Sequence, residues 1–87
     1  MFVYILECED GSYYTGIAND LEKRLINHGQ GSKYTRAKKP LRLVYVEESE
    51  AARKREYEIK QLARLQKEAL IASDVNNVAA YKDLVVS

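Results

Sequence analysis

Two short runs rich in β-branched and aromatic residues, Phe2 to Cys8 and Ser12 to Ile17, are separated only by Glu9-Asp10-Gly11, and that spacing constrains the fold more than any other feature of the chain. Such runs on either side of turn residues form a β-hairpin. Two loops fit. Asp10-Gly11 as a two-residue type I′ turn pairs Glu9 with Ser12, whereas Glu9-Asp10-Gly11 as a three-residue loop, with Gly11 left-handed, pairs Cys8 with Ser12. Side chains alternate along a strand, so the two-residue loop sends Tyr4 and Tyr14 to opposite faces of the sheet. The three-residue loop sets Tyr4, Leu6, Cys8, Ser12, Tyr14 and Gly16 on one face. If the two tyrosines serve one site, the three-residue loop is required.

After the hairpin, Asn19 followed by Glu22 resembles a capping box, and Leu21, Leu25 and His28 repeat at helical spacing until Gly29, which predicts a short helix over 20–28. Gly29 to Pro40 is basic and turn-rich, with room for one helical turn near Tyr34, and Leu41 to Glu47 reads as a third strand. Ser49 can cap a long helix from about Glu50 to Leu70. Its inner stripe is Ala52, Glu56, Ile59, Ala63, Gln66 and Leu70, with Leu62 alongside. Val75 to Val85 is weakly helical, and Val78, Ala79, Leu84 and Val85 are expected to dock it on the rest. The order β, β, α, β, α, α gives an α+β fold: a small three-stranded, mainly antiparallel sheet flanked by helices. At 87 residues the chain is expected to form one domain over 1–87, with a motif-bearing core at about 2–72 and a helical tail at 73–87.

Cys8 is the single cysteine, which excludes an internal disulfide and fits a reducing compartment. Residues 1–22 carry no Lys or Arg and the apolar runs are short, so neither a signal peptide nor a membrane span is expected, and the expected location is the cytoplasm. The formal charge is only +1, but its order is uneven: residues 23–46 hold seven bases (Lys23, Arg24, Lys33, Arg36, Lys38, Lys39, Arg42) and no acids. A basic segment of this kind is commonly a solvated face, and it also suits a phosphate backbone. If the partner is a nucleic acid, Lys33, Arg36, Lys38, Lys39 and Arg42 would be its contacts, with Tyr34 placed to stack on a splayed base.

The chain has no glycine-rich phosphate loop, no metal-binding His pair and no G-x-S-x-G, which excludes several hydrolase and nucleotide-binding classes. The remaining polar candidates are Tyr4 and Tyr14 within strands, Arg24 and His28 one helical turn apart, and Glu56 on an otherwise apolar stripe. Each also has a plain structural reading. Tyrosines in strands commonly pack, as expected of Tyr13, Tyr45 and Tyr57. His28 could serve the end of a helix dipole, and Glu56 could pair with Lys60 at i, i+4.

In their order these residues resemble the GIY-YIG nuclease superfamily, most of all its small stand-alone members, over about residues 2–72. Phe2-Val3-Tyr4 keeps the tyrosine of the first motif, and Tyr14-Thr15-Gly16 stands for the second with Thr in place of Ile. Arg24 and His28 match the family's Arg-x-x-x-His, and Gly31-Ser32-Lys33-Tyr34-Thr35-Arg36 matches the stretch that follows. Glu56, within Arg55-Glu56-Tyr57-Glu58-Ile59, matches the metal-binding glutamate. The resemblance implies a GIY-YIG-like fold and hydrolysis of DNA phosphodiester bonds assisted by a divalent ion, Mg²⁺ or Mn²⁺, bound at Glu56. Tyr4, Tyr14, Arg24, His28 and Glu56 would be the catalytic set, acting in repair or processing of structured DNA. Arg24 offers a planar charged fork to a phosphate, and Glu56 suits a hard cation. Tyr4 ionises near pH 10 when unperturbed, so a basic role requires a nearby cation or a relay. Tyr14 and His28 share the tasks of orienting water and moving its proton. DNA is the expected partner, with RNA open and a protein partner as a source of specificity. The alternative is a nucleic-acid-binding module on the same fold with weak or lost catalysis; only the enzyme needs Glu56.

Overall fold

The computed structural model describes residues 1–29 and 40–81, with side chains left out at 26–29, 40 and 41. Its strands are β1 (Phe2–Cys8), β2 (Tyr13–Ala18) and β3 (Pro40–Glu48), and its helices are α1 (Leu21–Gly29), α2 (Ala52–Lys60) and α3 (Arg64–Ile71), followed by a 3-10 turn at Val78–Tyr81. The sheet is antiparallel in the order β2-β1-β3. The α+β fold expected from the sequence is present.

β1 is the central strand, covered on both faces, which is why its sequence is apolar almost throughout. Val3, Tyr4, Ile5, Leu6 and Cys8 are all fully buried. On one face Tyr4, Leu6 and Val46 pack with Leu21 and Leu25 of α1, and Val78 and Tyr81 lie against that layer. On the other, Val3, Ile5 and Tyr45 pack with Ala52 and Ile59 of α2, and Leu70 and Ile71 of α3 join them.

The hairpin takes the three-residue loop. Gly11 is left-handed at φ +84°, the Cys8 N–H donates to the Ser12 carbonyl at 2.8 Å, and Leu6 stands opposite Tyr14 and Tyr4 opposite Gly16. The Asp10 carboxylate holds the turn by accepting from the Ser12 N–H at 3.0 Å. Arg64 of α3 braces it from outside, donating to the Gly11 carbonyl at 2.7 Å with its guanidinium 4.6 Å from the Tyr13 ring centre.

Three expectations need correction. Helix α1 is capped by Asp20 rather than Asn19, since the Asp20 carboxylate accepts from the Lys23 N–H at 3.1 Å and so meets one of the orphan donors of the first turn. The long helix over 50–70 is two helices. Ala63 is extended (φ −68°, ψ 161°), and the Gln66 side chain accepts its N–H at 2.9 Å. An unbroken helix of that length would run about 31 Å, beyond the 29 Å longest extent of the chain, and the break turns Leu70 and Ile71 back onto the α2 layer. Ala63 and Gln66 are therefore exposed instead of inward. Of the tail residues, Val78 docks as expected while Ala79 is exposed; Leu84 and Val85 lie outside the described residues.

Candidate functional site

The hairpin register puts Tyr4 and Tyr14 on the α1 face, their ring centres 6.3 Å apart. Gly16, directly across from Tyr4, makes this proximity possible. A Cβ there would stand 2.6 Å from the Tyr4 hydroxyl oxygen, a distance that no packed side chain sustains, and 3.1 Å from the Tyr14 ring, which would have to give way. The motif glycine is thus a matter of clearance inside a strand, where glycine otherwise weakens pairing.

Asp20 sets the start of α1, and one turn on the helix delivers Arg24 to the tyrosines. The Arg24 Nε donates to the Tyr4 hydroxyl at 3.4 Å, the long end of hydrogen-bond geometry. The Arg24 side chain is otherwise exposed, and its bond to Tyr4 makes it still harder to deprotonate. Burial pushes the Tyr4 phenol up to about 12, and the Arg24 hydrogen bond, which favours the phenolate, only partly offsets it. Arg24 thus stands where a cation beside Tyr4 was expected, and burial outweighs its effect on the phenol.

Glu56 sits on α2, whose buried Ala52 and Ile59 belong to the opposite layer. Its carboxylate is half-buried and stands 3.5 Å from the Lys60 ammonium, the i, i+4 pair expected of a helix surface and worth a few tenths of a kcal/mol. The charge of Glu56 nevertheless reaches Tyr4, where it adds to the rise of the phenol. Among the described residues no group of three or more His, Cys, Asp and Glu side chains is placed to share a metal ion. One carboxylate suits a cation that keeps most of its waters and takes further oxygens from a phosphate, as Mg²⁺ does.

The structure thus gathers Tyr4, Tyr14 and Arg24 and places Glu56 within electrostatic reach. The side chain of His28 lies outside the described residues, as do Lys33, Tyr34, Arg36, Lys38 and Lys39 with the helical turn expected near Tyr34. Arg42 is described. It is exposed on β3 and pairs with Glu7 of β1 at 2.7 Å. Of the tyrosines expected to pack, Tyr45 is fully buried but Tyr57 is 66% exposed. Tyr45 also anchors a network that sequence reasoning missed: its hydroxyl donates to Glu47, whose carboxylate accepts the Arg55 Nε at 3.0 and 3.1 Å. This fastens α2 to β3 at the residue before Glu56. The i, i+2 spacing of Tyr45 and Glu47 along an edge strand was the available signal.

Residues 1–69 match the GIY-YIG catalytic domain. The chain belongs to the GIY-YIG family. It is 53% identical to the UPF0213 protein of Staphylococcus saprophyticus over 77 residues, covering 82% of this chain and 93% of that one. With the UPF0213 protein of Halobacterium salinarum it shares 53% identity over 74 residues, 78% of this chain and 95% of the other. The fold is similar to the solution NMR structure of the UPF0213 protein from Bacillus halodurans, at 41% identity and a TM-score of 0.56, covering 99% of this chain and 97% of that one. In GIY-YIG terms, β1 carries the first motif tyrosine and β2 the second motif, and the clearance at Gly16 lets the two meet.

Proposed function

We propose that this GIY-YIG protein is a nucleic-acid-binding domain that takes DNA by its phosphates at Arg24, with little hydrolytic activity of its own. One observation carries the reading. The exposed Arg24 donates to the Tyr4 hydroxyl beside Tyr14 while burial holds the Tyr4 phenol protonated, up to about 12. Such a pair attracts a phosphate by charge and hydrogen bonds, while the Tyr4 phenol itself does not serve as a base at neutral pH. The basic segment bearing Lys33, Tyr34, Arg36, Lys38 and Lys39 would extend the grip along the backbone, and Arg42 would join it by leaving Glu7. RNA presents the same phosphates, and a protein partner could supply selectivity that backbone contacts lack.

A second reading, phosphodiester hydrolysis at the same place, is favoured by the charge of Glu56 reaching Tyr4. Glu56 would hold Mg²⁺ or Mn²⁺, and the cation, when bound, supplies neutralisation of charge on the leaving oxygen. Arg24 would bind the phosphate as its charge grows, while Tyr14 and His28 orient water and carry its proton.

Plasmid nicking with and without Mg²⁺, run beside DNA binding in chelator, separates the two. The binding reading expects chelator-resistant affinity and negligible nicking. Mg²⁺-dependent nicking that disappears in Glu56→Gln, with the melting temperature unchanged, would establish the enzyme instead. Absence of any DNA binding would refute both.

A further inference from the structure

We infer that the site takes an unpaired nucleotide beside the phosphate held by Arg24, so that the preferred DNA carries a splayed or bulged residue rather than an intact duplex. The inference rests on the proposed function and names the substrate class that fits it. Beside Arg24 lies a cavity of about 300 Å³ whose wall includes Met1, Ile17, Asn19, Asp20, Lys23 and Arg24. That volume is at the small end for ligand pockets. It is an open depression of a size that suits a single nucleotide unit.

The chemistry of the wall matches the parts of a nucleotide. Lys23 and Arg24 supply two positive charges against the single carboxylate of Asp20, and that carboxylate is already engaged in accepting the Lys23 N–H at 3.1 Å. The balance favours an anion. Met1, 43% exposed, and the partly buried Ile17 offer apolar contact for the face of a base, the methionine adaptably. Asn19, exposed beside them, carries both a donor and an acceptor for a base edge. Arg24 is common to both places: it bonds Tyr4 and lines the cavity. A phosphate on Arg24 therefore puts the adjoining sugar and base at the mouth of the cavity. In a duplex that base is stacked and paired, and extruding it costs free energy that a bulge or mismatch has largely met already.

The test is fluorescence-anisotropy binding of three labelled DNAs of equal length: an intact duplex, the same duplex with one bulged nucleotide, and the single strand. They would be titrated with wild type, Lys23→Ala and Asn19→Trp, whose indole fills the cavity; melting temperatures establish that both variants are folded. Wild type is expected to bind the bulged duplex about tenfold more tightly than the intact one. Asn19→Trp should remove that preference while leaving intact-duplex affinity within about twofold, and Lys23→Ala should weaken the bulged duplex more than the intact one. Equal binding of bulged and intact duplex by wild type overturns the inference and leaves the proposed function standing. A folded Asn19→Trp protein that keeps the full preference overturns the cavity as its origin. Failure of wild type to bind any of the three overturns the functional reading and the inference together.

Discussion

A methyl group on Gly16 would meet the Tyr4 hydroxyl at 2.6 Å, so Gly16→Ala is expected to push the Tyr4 ring off Arg24 and to cost about 1–3 kcal/mol of stability as an overpacked core does. Chemical denaturation measures the loss, and an unperturbed Gly16→Ala protein would mean that the two rings do not share this space. Thr15, next to it, has a buried hydroxyl with no hydrogen-bond partner among the described residues. Thr15→Val removes that group without changing the shape of the side chain and should raise stability by about 1 kcal/mol; a lowered melting temperature would show that the hydroxyl is satisfied in solution. Tyr4 itself has an alkaline signature. With its pKa raised by burial to about 12, above the ordinary value near 10, the folded state holds the proton that the unfolded state gives up. Its contribution is complete below about pH 10 and is lost as pH rises toward 12, by about 2–3 kcal/mol in all. Tyr45, raised to about 12 by burial and by Glu47, titrates in the same window. Tyr4→Phe should therefore flatten the alkaline decline in stability without abolishing it, and an identical decline in both proteins would contradict the burial of Tyr4. At Arg24, replacement by Lys keeps a charge and loses the fork, so DNA affinity is expected to fall only a few-fold. A loss as deep as that of Arg24→Ala would make the planar geometry, and not the charge, the basis of binding.

Edge strand β3 carries two extra residues relative to β1, at Val44 and Leu41, and the first of these bulges is held by a single side chain. Asn76 donates through Nδ2 to the carbonyls of Val44 at 2.8 Å and Ile71 at 2.7 Å. Its Oδ1 accepts the N–H groups of Val46 at 3.2 Å and Val78 at 3.0 Å. Asn76→Ala leaves these backbone groups short of partners and should cost about 2–3 kcal/mol, while Asn76→Asp, which retains only the accepting half, should recover part of that. Denaturant midpoints of the three proteins decide it, and an Ala variant as stable as wild type would show that water replaces the amide at no cost. None of this was legible in the sequence, because an asparagine in a polar stretch announces a turn, while its partners Val44 and Val46 lie 32 and 30 residues away on a bulge that no local pattern reveals. The break between α2 and α3 was hidden for a related reason. Lys60 to Arg64 contains no Gly or Pro and favours helix throughout, so the break rests on tertiary packing, which returns Leu70 and Ile71 to the α2 layer. The hairpin, by contrast, was legible in its strands and turn residues. Its loop type was not fixed locally but followed from requiring Tyr4 and Tyr14 to meet, a condition that the structure satisfies. The motif order likewise led to Arg24, whereas the opposite-layer position of Glu56 could not be read from a stripe on a helix assumed to be continuous.

Across the whole molecule, a formal charge of +1 coexists with a 24-residue stretch, 23–46, that holds seven bases and no acids. Replacing Lys33, Arg36, Lys38 and Lys39 together by Ala should weaken binding to unrelated duplex DNA sequences alike and make the slope of log affinity against log salt shallower by as much as about 3.6. An unaltered slope would mean that these side chains face solvent in the complex. The two borders of the sheet differ in a way that bears on self-association. β3 has its outward groups at Val44 and Val46 occupied by Asn76, and the Asn77 N–H donates to the Val46 carbonyl at 2.8 Å. β2, at the other border, has no strand beside it among the described residues. An unpaired strand is where one chain recruits another by extending the sheet. Among the described residues β2 is thus the border left for a further strand, and a second copy joined there edge to edge would cover the same border on both chains, so such an assembly would close as a pair instead of growing as a fibre.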